Sequence, residues 1–194
     1  NGQGVFYAFR CRFGPNSTLG SIKSSNNGFN ALHLENCSAD INSNFSTGFS
    51  VYGDSIFRSS IVMNDFYWYP STPQPQLKNF VVIAGKNTSF LGTSISVGPV
   101  PALTLSIGGN GFGVYDNTTI RLANVSMNGF DKAIYIPNIG GGSQILASEI
   151  SGKNNTIDLQ IDHPDTKGNI QGSLSRTKTI IHETAQVSLF STDP

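Results

Sequence analysis

Short strand-like runs of β-branched and aromatic residues recur along the whole chain, separated by glycine and asparagine. Clear examples lie at residues 5–9, 80–83, 103–107, 134–136 and 157–161. These runs are rich in β-branched and aromatic residues, which favour strands. Few windows combine helix-forming residues with the 3.6-residue apolar period of a helix. The pattern therefore predicts a protein built mostly of short strands.

The predicted strands repeat about every 25 residues. A turn residue followed by an apolar run begins at Gly4, Gly28, Gly48, Asn79, near Pro101, at Gly129 and at Asn155. A period of about 20 to 50 residues is typical of repeat architectures, but propeller blades are longer and leucine-rich repeats need a consensus that is missing here. Asn and Ser tolerate the turns between stacked strands. We therefore predict a solenoid of the β-helix type.

Two segments depart from this repeat. The longest interval, between Gly48 and Asn79, carries the single Trp and a Pro-Gln-Pro sequence that cannot continue a central strand. After Gly168, glycine becomes rare and charged residues crowd together, as expected of a cap that covers an open end. We predict a β-helix domain over residues 1–167 and a cap or oligomerisation segment over 168–194. Because the sequence starts at Asn1 without Met, we expect a fragment of a longer chain.

The composition narrows the possible partners. The 194 residues include 12 basic and 12 acidic side chains, so the net charge is zero. Nucleic acids and anionic membrane surfaces attract basic proteins, so neither is an expected partner. No stretch reaches the roughly 18 to 20 apolar residues of a membrane span, so we predict no membrane insertion. Cys11 and Cys37 are interpreted as buried free thiols, a disulfide between them is the alternative, and their spacing does not suggest zinc.

Aligned coil starts suggest a column of charged side chains. Counted from the predicted starts, Arg10, Glu35, Asp54 and Lys86 fall at offsets 6, 7, 6 and 7. Successive strands lie about 4.8 Å apart, so Glu35 and Asp54 would become neighbours. Such a carboxylate pair can divide acid and base roles in glycoside hydrolysis. The alternative interpretation is a surface ladder of ion pairs that stabilises little.

A run of aromatic residues forms a second candidate. Asp65 precedes Phe66-Tyr67-Trp68-Tyr69. Sugar rings stack on aromatic faces, and a neighbouring carboxylate accepts hydrogen bonds from their hydroxyls. Strand alternation would place Phe66 and Trp68 on one face and Tyr67 and Tyr69 on the other, so the alternative is that one pair belongs to the core.

Glycine-phenylalanine coil starts, Asn/Ser-rich turns, irregular insertions, low charge and a divergent C-terminal segment resemble the tailspikes and capsule depolymerases of bacteriophages. The resemblance covers about residues 4–165 and is one of style rather than of a diagnostic motif. It implies a right-handed parallel β-helix, assembly into a homotrimer, location in the virion tail outside the cell, and binding of a bacterial surface polysaccharide. Many members of this group cleave the polysaccharide with pairs of Asp or Glu.

The resemblance turns the two candidates into a set of expected site residues. The catalytic candidates are Glu35, Asp54 and Asp65. The substrate-binding candidates are Arg58, Tyr67, Trp68, Tyr69 and Lys86. No motif predicts a cofactor, and no Asp cluster predicts a metal site. Three functions remain open: polysaccharide recognition with glycosidase activity, a binding or structural β-helix without activity, and a polysaccharide lyase.

Overall fold

The structure, a computed structural model, describes residues 4–14, 20–23, 30–40, 46–53, 58–70, 72–74, 77–99 and 105–192. The strands are β1 (Gly4–Phe9), β2 (Arg12–Phe13), β3 (Gly20–Lys23), β4 (Asn30–Ala39), β5 (Thr47–Tyr52), β6 (Ser59–Trp68), β7 (Asn79–Ala84), β8 (Thr88–Val97), β9 (Asn110–Tyr115), β10 (Thr119–Asn128), β11 (Lys132–Ile136), β12 (Gln144–Lys153), β13 (Ile157–Ile161), β14 (Lys167–Ser173), β15 (Thr179–Ile181) and β16 (Gln186–Ser191). A single 3-10 turn, Arg176–Lys178, is the helical element of the described residues.

The strands form two parallel sheets. The first sheet has the order β1-β4-β6-β8-β10-β12-β14-β16, with β2 also paired to β4, and the second has the order β15-β13-β11-β9-β7-β5-β3. The chain alternates between the sheets, and successive strands of the first sheet start between 19 and 31 residues apart. The predicted all-β parallel solenoid is confirmed. Its right-handed winding stays a prediction.

Each long strand of the first sheet contains one residue with a positive φ near its middle. These residues, which we call the bend column, are Asn36, Asp65, Ser94, Asn124 and Glu149, and Arg10 between β1 and β2 belongs to the same column. A left-handed residue turns an extended chain, so every long strand has a pre-bend and a post-bend part. In β6 the buried positions are accordingly Ile61 and Met63 and then Phe66 and Trp68, with two outward residues at the bend.

Aromatic side chains fill the interior between the sheets. Phe49, Phe66 and Phe80 are fully buried, and their ring centroids lie 5.4 to 5.9 Å apart. Trp68 stacks on Phe80 with centroids 5.9 Å apart, and Phe112 continues the series toward Phe90. Each ring is covered by the coil above and the coil below, so the core is continuous along the solenoid.

The C-terminal segment continues the solenoid in the described residues. β14 starts at Lys167, pairs with β12 and is followed by β16 in the same sheet, while β15 pairs with β13. The predicted boundary at residue 168 thus lies inside β14, and a capping or oligomerising role for 168–194 stays a prediction. Among the described residues, no helix has the length and apolar character needed to cross a membrane.

Candidate functional site

The register does not produce the predicted charged column around Glu35. In the first sheet, the neighbours of Glu35 are Phe9 on one side and Asn64 on the other. Arg10 lies one position further on, where its backbone N–H donates to the Glu35 carbonyl at 3.0 Å. The predicted alignment is wrong because the assumed coil starts mixed strands of the two sheets. Glu35 itself is exposed on the pre-bend surface.

The other two residues of the predicted column, Asp54 and Lys86, are not found beside Glu35 among the described residues. Asp54 lies outside the described residues. Lys86 is exposed in the turn between β7 and β8 and thus follows the second sheet, whereas Glu35 is in the first. The direct register partners of Glu35 are not carboxylates, but Asp65 follows the partner Asn64 by one position in the adjacent strand, and both Glu35 and Asp65 are exposed. A catalytic role for Glu35 or Asp54 stays a prediction.

Asp65 occupies the bend column. Its φ is 52°, and it is exposed between the equivalent positions of Asn36 and Ser94 in the neighbouring coils. Its residue type is explained by the backbone, because Asp and Asn adopt the left-handed conformation more readily than most residues. The catalytic assignment of Asp65 stays a prediction with no carboxylate partner in its column before Glu149.

The aromatic run follows the predicted alternation. Phe66 and Trp68 point into the core, whereas Tyr67 is 51% exposed and Tyr69 is half-buried. The rings of Tyr67 and Tyr69 stack with centroids 6.0 Å apart on the post-bend surface. Trp68 has no exposed surface, because it packs in the aromatic series of the core, so its assignment as a ligand-binding residue is wrong. Tyr67 and Tyr69 remain available to a ligand.

Arg58 lies at the edge of the pre-bend surface. It is exposed just before β6 and lines a cavity of about 410 Å³ on the outer side of the first sheet. The same cavity is bordered by Ser60, Asn87, Ser89 and Arg121. The predicted binding role of Arg58 is therefore compatible with its position, although its neighbours differ from those expected.

A larger cleft of about 540 Å³ opens on the outer side of the second sheet, and sequence reasoning missed it. We call it the second-sheet cleft. It is lined by Thr47, Tyr52, Gly53, Asn79, Val82, Ala84, Gly85, Tyr115, Asp116 and Ile139.

Two tyrosines stand at equivalent positions on either side of a small residue in this cleft. Tyr52 pairs in register with Ala84, and Ala84 pairs with Tyr115. Tyr52 and Tyr115 are therefore two strand spacings apart, about 10 Å between backbones. The small side chain of Ala84 lies between them, so the pair frames an open strip of sheet.

A glycine makes room for one of these tyrosines. A Cβ added at Gly113 would come within 2.6 Å of Asn79 Oδ1 and 2.8 Å of Tyr115 Cε2, so the ring of Tyr115 lies across the backbone of Gly113. Asn79 Oδ1 in turn accepts a hydrogen bond of 3.0 Å from Asn110 Nδ2. The amide of Asn79 is thereby oriented beside the phenol of Tyr115.

Partial burial and hydrogen bonds determine the protonation and the orientation of the polar groups in the cleft. Burial raises the pKa of Tyr115, the nearby phenol of Tyr52 raises it further, and a hydrogen bond with Asn79 opposes the change. Tyr115 thus stays a neutral phenol that can donate and accept hydrogen bonds. Asp116 Oδ1 accepts the Gly141 N–H at 3.1 Å, which fixes its carboxylate at the rim.

The cleft combines the groups that recognise a sugar. Two tyrosine rings offer apolar faces for C–H groups, while an amide, a phenol and a carboxylate offer partners for hydroxyls. A signal for it was present in the sequence, since Tyr52 and Tyr115 end the related segments GFSVY and GFGVY. Comparing those segments would have aligned the two tyrosines.

The arrangement of the described residues gives no reason to add a metal ion. Within those residues, no group of three or more His, Cys, Asp or Glu side chains is placed to hold one.

Comparisons of the chain with protein-family models, with curated proteins and with solved structures give no match. The conclusions on function therefore rest on the chemistry of this chain's own surfaces.

Proposed function

We propose that this protein is a carbohydrate-binding β-solenoid that recognises a cell-surface polysaccharide, as the tailspikes of bacteriophages do. The observation that carries the proposal is the second-sheet cleft, in which Tyr52 and Tyr115 flank Ala84 beside Asn79 and Asp116. Its volume of about 540 Å³ is within the range typical of small-ligand sites.

The physical basis is the mixed character of a sugar ring. Its C–H faces bury apolar surface against the tyrosines, and its hydroxyls need donors and acceptors at the ring edge. Asn79 and Asp116 supply both kinds of group at positions fixed by hydrogen bonds of 3.0 and 3.1 Å. Because these groups are oriented before binding, little conformational freedom is lost when a ligand enters.

Binding without cleavage fits the described residues better than hydrolysis does. A glycosidase needs two carboxyl groups about 5 to 9.5 Å apart on either side of the scissile bond. Among the described residues, Asp116 is the single carboxylate that lines the cleft, and Glu35 and Asp65 lie in strands of the other sheet. Cleavage by a pair that includes Asp54 stays an alternative, and lyase activity is a second one.

The proposal includes two properties that follow from the resemblance to tailspikes. The solenoid would assemble as a homotrimer, and it would be carried on the outside of a virion. Light scattering of the purified chain measures the first property directly. A monomer at micromolar concentration would contradict the trimer while leaving the cleft untouched.

The test of the proposed function is binding to a panel of bacterial capsular and O-antigen polysaccharides, measured by calorimetry on the wild type and three variants. Tyr115→Ala removes one aromatic wall, and Gly113→Ala puts a Cβ where the Tyr115 ring lies. Both should weaken binding about tenfold or more. Tyr67→Ala tests the competing tyrosine pair on the post-bend surface and should bind like the wild type if the ligand occupies the second-sheet cleft.

The same samples decide between binding and cleavage. The release of reducing ends would indicate a hydrolase, and absorbance from unsaturated products would indicate a lyase. Neither signal is expected. The proposal is overturned if no surface polysaccharide binds, or if Tyr67→Ala loses binding while Tyr115→Ala keeps it.

A further inference from the structure

The outer surface of the pre-bend strands carries two arginines that form no ion pair within the described part of the chain. Arg58 and Arg121 are exposed, and the one ion pair found among the described residues joins Arg12 to Asp40 at 2.7 Å. Exposed arginines on proteins often pair with neighbouring carboxylates, but the described lining of the two cavities on this surface contains no Asp or Glu. The described lining of these two cavities therefore carries local positive charge on a chain with zero net charge.

Arg121 connects the two cavities into one track. The first cavity, about 410 Å³, extends from Arg58 to Arg121, and the second, about 460 Å³, extends from Arg121 to Gln171. Arg58 precedes β6 and Arg121 lies in β10, so their backbones are two coils apart, about 10 Å along the solenoid axis. They are also offset along the strand direction, because Arg121 is in register with Val62, four residues after Arg58. The track runs across the strands from one coil to the next.

The floor of the track has the mixed surface that a saccharide requires. Val62, Leu91 and Leu146 lie at the same register position as Arg121 in neighbouring coils and expose apolar surface along the track. The hydroxyls of Ser60, Ser89 and Ser148 and the amides of Asn87 and Asn169 surround that apolar row.

We infer that this track binds an acidic polysaccharide, whose carboxylates pair with Arg58 and Arg121. A guanidinium group presents two parallel N–H donors that match a carboxylate, and a planar fork of this kind loses less freedom than a lysine would. The serine hydroxyls and amides then serve the sugar hydroxyls between the charged groups. This inference rests on the proposed function only in taking the ligand to be a polysaccharide, because the track and the second-sheet cleft lie on different sheets.

A nucleic acid fits the same track poorly. Nucleic-acid binding draws its affinity from many phosphate contacts made by clustered basic residues. The track offers two arginines two coils apart, and Phe90, the aromatic residue in its described lining, is buried in the core, where a base cannot stack on its ring. A polymer of uronate sugars has fewer charges and more hydroxyls, which matches the composition of the lining.

The experiment uses three carboxylated polysaccharides, namely polygalacturonate, alginate and hyaluronan, each compared with its methyl-esterified form. Esterification keeps the sugar backbone and removes the charge. At least one acidic polymer should bind the wild type, and its methyl ester should bind with an affinity at least about tenfold lower. Added salt should weaken the acidic polymer far more than the ester.

Substitutions then assign the binding to the track. Arg121→Gln, which affects both cavities, should weaken binding about tenfold, and Arg58→Gln should weaken it less. Arg176→Gln removes the same charge from an exposed position in the 3-10 turn and should bind like the wild type. Thermal melting of each variant checks that folding is unchanged, which is expected for exposed side chains.

Four results would overturn the inference. These are no binding of any acidic polymer, equal binding of acid and ester, equal losses in Arg121→Gln and Arg176→Gln, and displacement of the polymer by single-stranded DNA at equal charge concentration. Failure of the second-sheet cleft would be recognised separately, because Tyr115→Ala should leave the binding of the acidic polymer to the track within about twofold of the wild type.

Discussion

Phe6 and Phe90 occupy the same inward register position at the end and in the middle of the first sheet. Register links Phe6 to Leu32, Leu32 to Ile61 and Ile61 to Phe90. Yet Phe6 is 62% exposed and Phe90 is 1% exposed. Leu32 and Ile61 already have coils on both sides and are buried. The difference shows that burial in this solenoid comes from the adjacent coils rather than from the residue's own strand.

Both ends of the described solenoid expose large apolar side chains, including Ile180 and Phe190 in the last strands, but the two ends differ in their polar contacts. At the N-terminal end, Val5, Phe6, Tyr7 and Phe9 expose large apolar surface. Toward the C-terminal end, the buried carboxylate of Asp158 accepts hydrogen bonds from Asn155 Nδ2 at 2.9 Å and from the Ser175 N–H at 2.8 Å. The segment after β14 is therefore fastened by polar contacts.

The substitution with the largest expected effect on the free energy of unfolding tests whether neighbouring coils bury the side chains of the first sheet. Phe90→Ala should lower the free energy of unfolding by about 3–5 kcal/mol, because it leaves a cavity beside Phe112, whose ring centroid lies 5.3 Å away. Phe6→Ala deletes the same side chain at an exposed position and should lower it by less than about 1 kcal/mol. Urea unfolding measures both. Equal losses would mean that Phe6 is covered in solution, for example by a second copy of the chain.

The polar fastening near the C-terminal end should give the next largest effect. Asp158→Ala removes the acceptor of two hydrogen bonds and should lower the free energy of unfolding by about 2 kcal/mol. Glu183→Ala, an exposed carboxylate in the turn before β16, is the control and should change it by less than about 0.5 kcal/mol. Hydrogen exchange would locate the loosening at residues 174–181. A loss spread over the central coils would contradict a local fastening.

Substitutions in the bend column should change the free energy of unfolding by smaller amounts, and one of them should raise it. Asn124 and Glu149 have positive φ angles of 54°, which Asn tolerates better than Glu. Glu149→Asn should therefore raise the free energy of unfolding by about 0.5–1 kcal/mol, and Asn124→Ala should lower it by about 1 kcal/mol. Thermal unfolding measures both changes. If Glu149→Asn destabilises the chain, a contact of the Glu149 side chain outweighs its backbone strain.

The bend also separates the central coils from the last one. β12 pairs with β14 through a register shift between Ala147 and Ile150, so two residues of β12 oppose one of β14. The regular bend therefore ends at Glu149 in the described residues.

The sequence was sufficient to predict stacked parallel strands but not their register. The alternation of Phe66 and Trp68 with Tyr67 and Tyr69 was predicted correctly, because a strand puts successive side chains on opposite faces. The coil starts were predicted wrongly, because Gly28 precedes a strand of the first sheet whereas Gly48 lies in β5 of the second sheet. Gly, Asn and Ser occur at all the turns, so they did not identify which turn recurs.

A longer motif would have given the register. Segments 32–39, 61–68, 90–97, 120–127 and 145–152 share inward residues at their first, third, sixth and eighth positions, with a bend residue at the fifth. A strict period of two fails at each bend, because two consecutive residues face outward there. The candidate sites were missed for the same reason, since the Tyr52–Tyr115 pair and the Arg58–Arg121 track each depend on residues about two coils apart.

The smallest expected effect is a change in how the free energy of unfolding falls at alkaline pH when Tyr115 is replaced. Burial raises the pKa of Tyr115 above its ordinary value of 10.0, so the folded protein holds this proton more tightly than the unfolded chain does. The stabilisation is complete below about pH 10 and is lost as the pH rises through the raised value. Tyr115→Phe should therefore lose less stability than the wild type between about pH 8 and pH 11. Tyr67→Phe, which removes a phenol from the exposed post-bend surface, is the matched control in urea unfolding at both pH values. If the two variants gain equally, general repulsion among tyrosinates rather than burial at the cleft determines the alkaline loss.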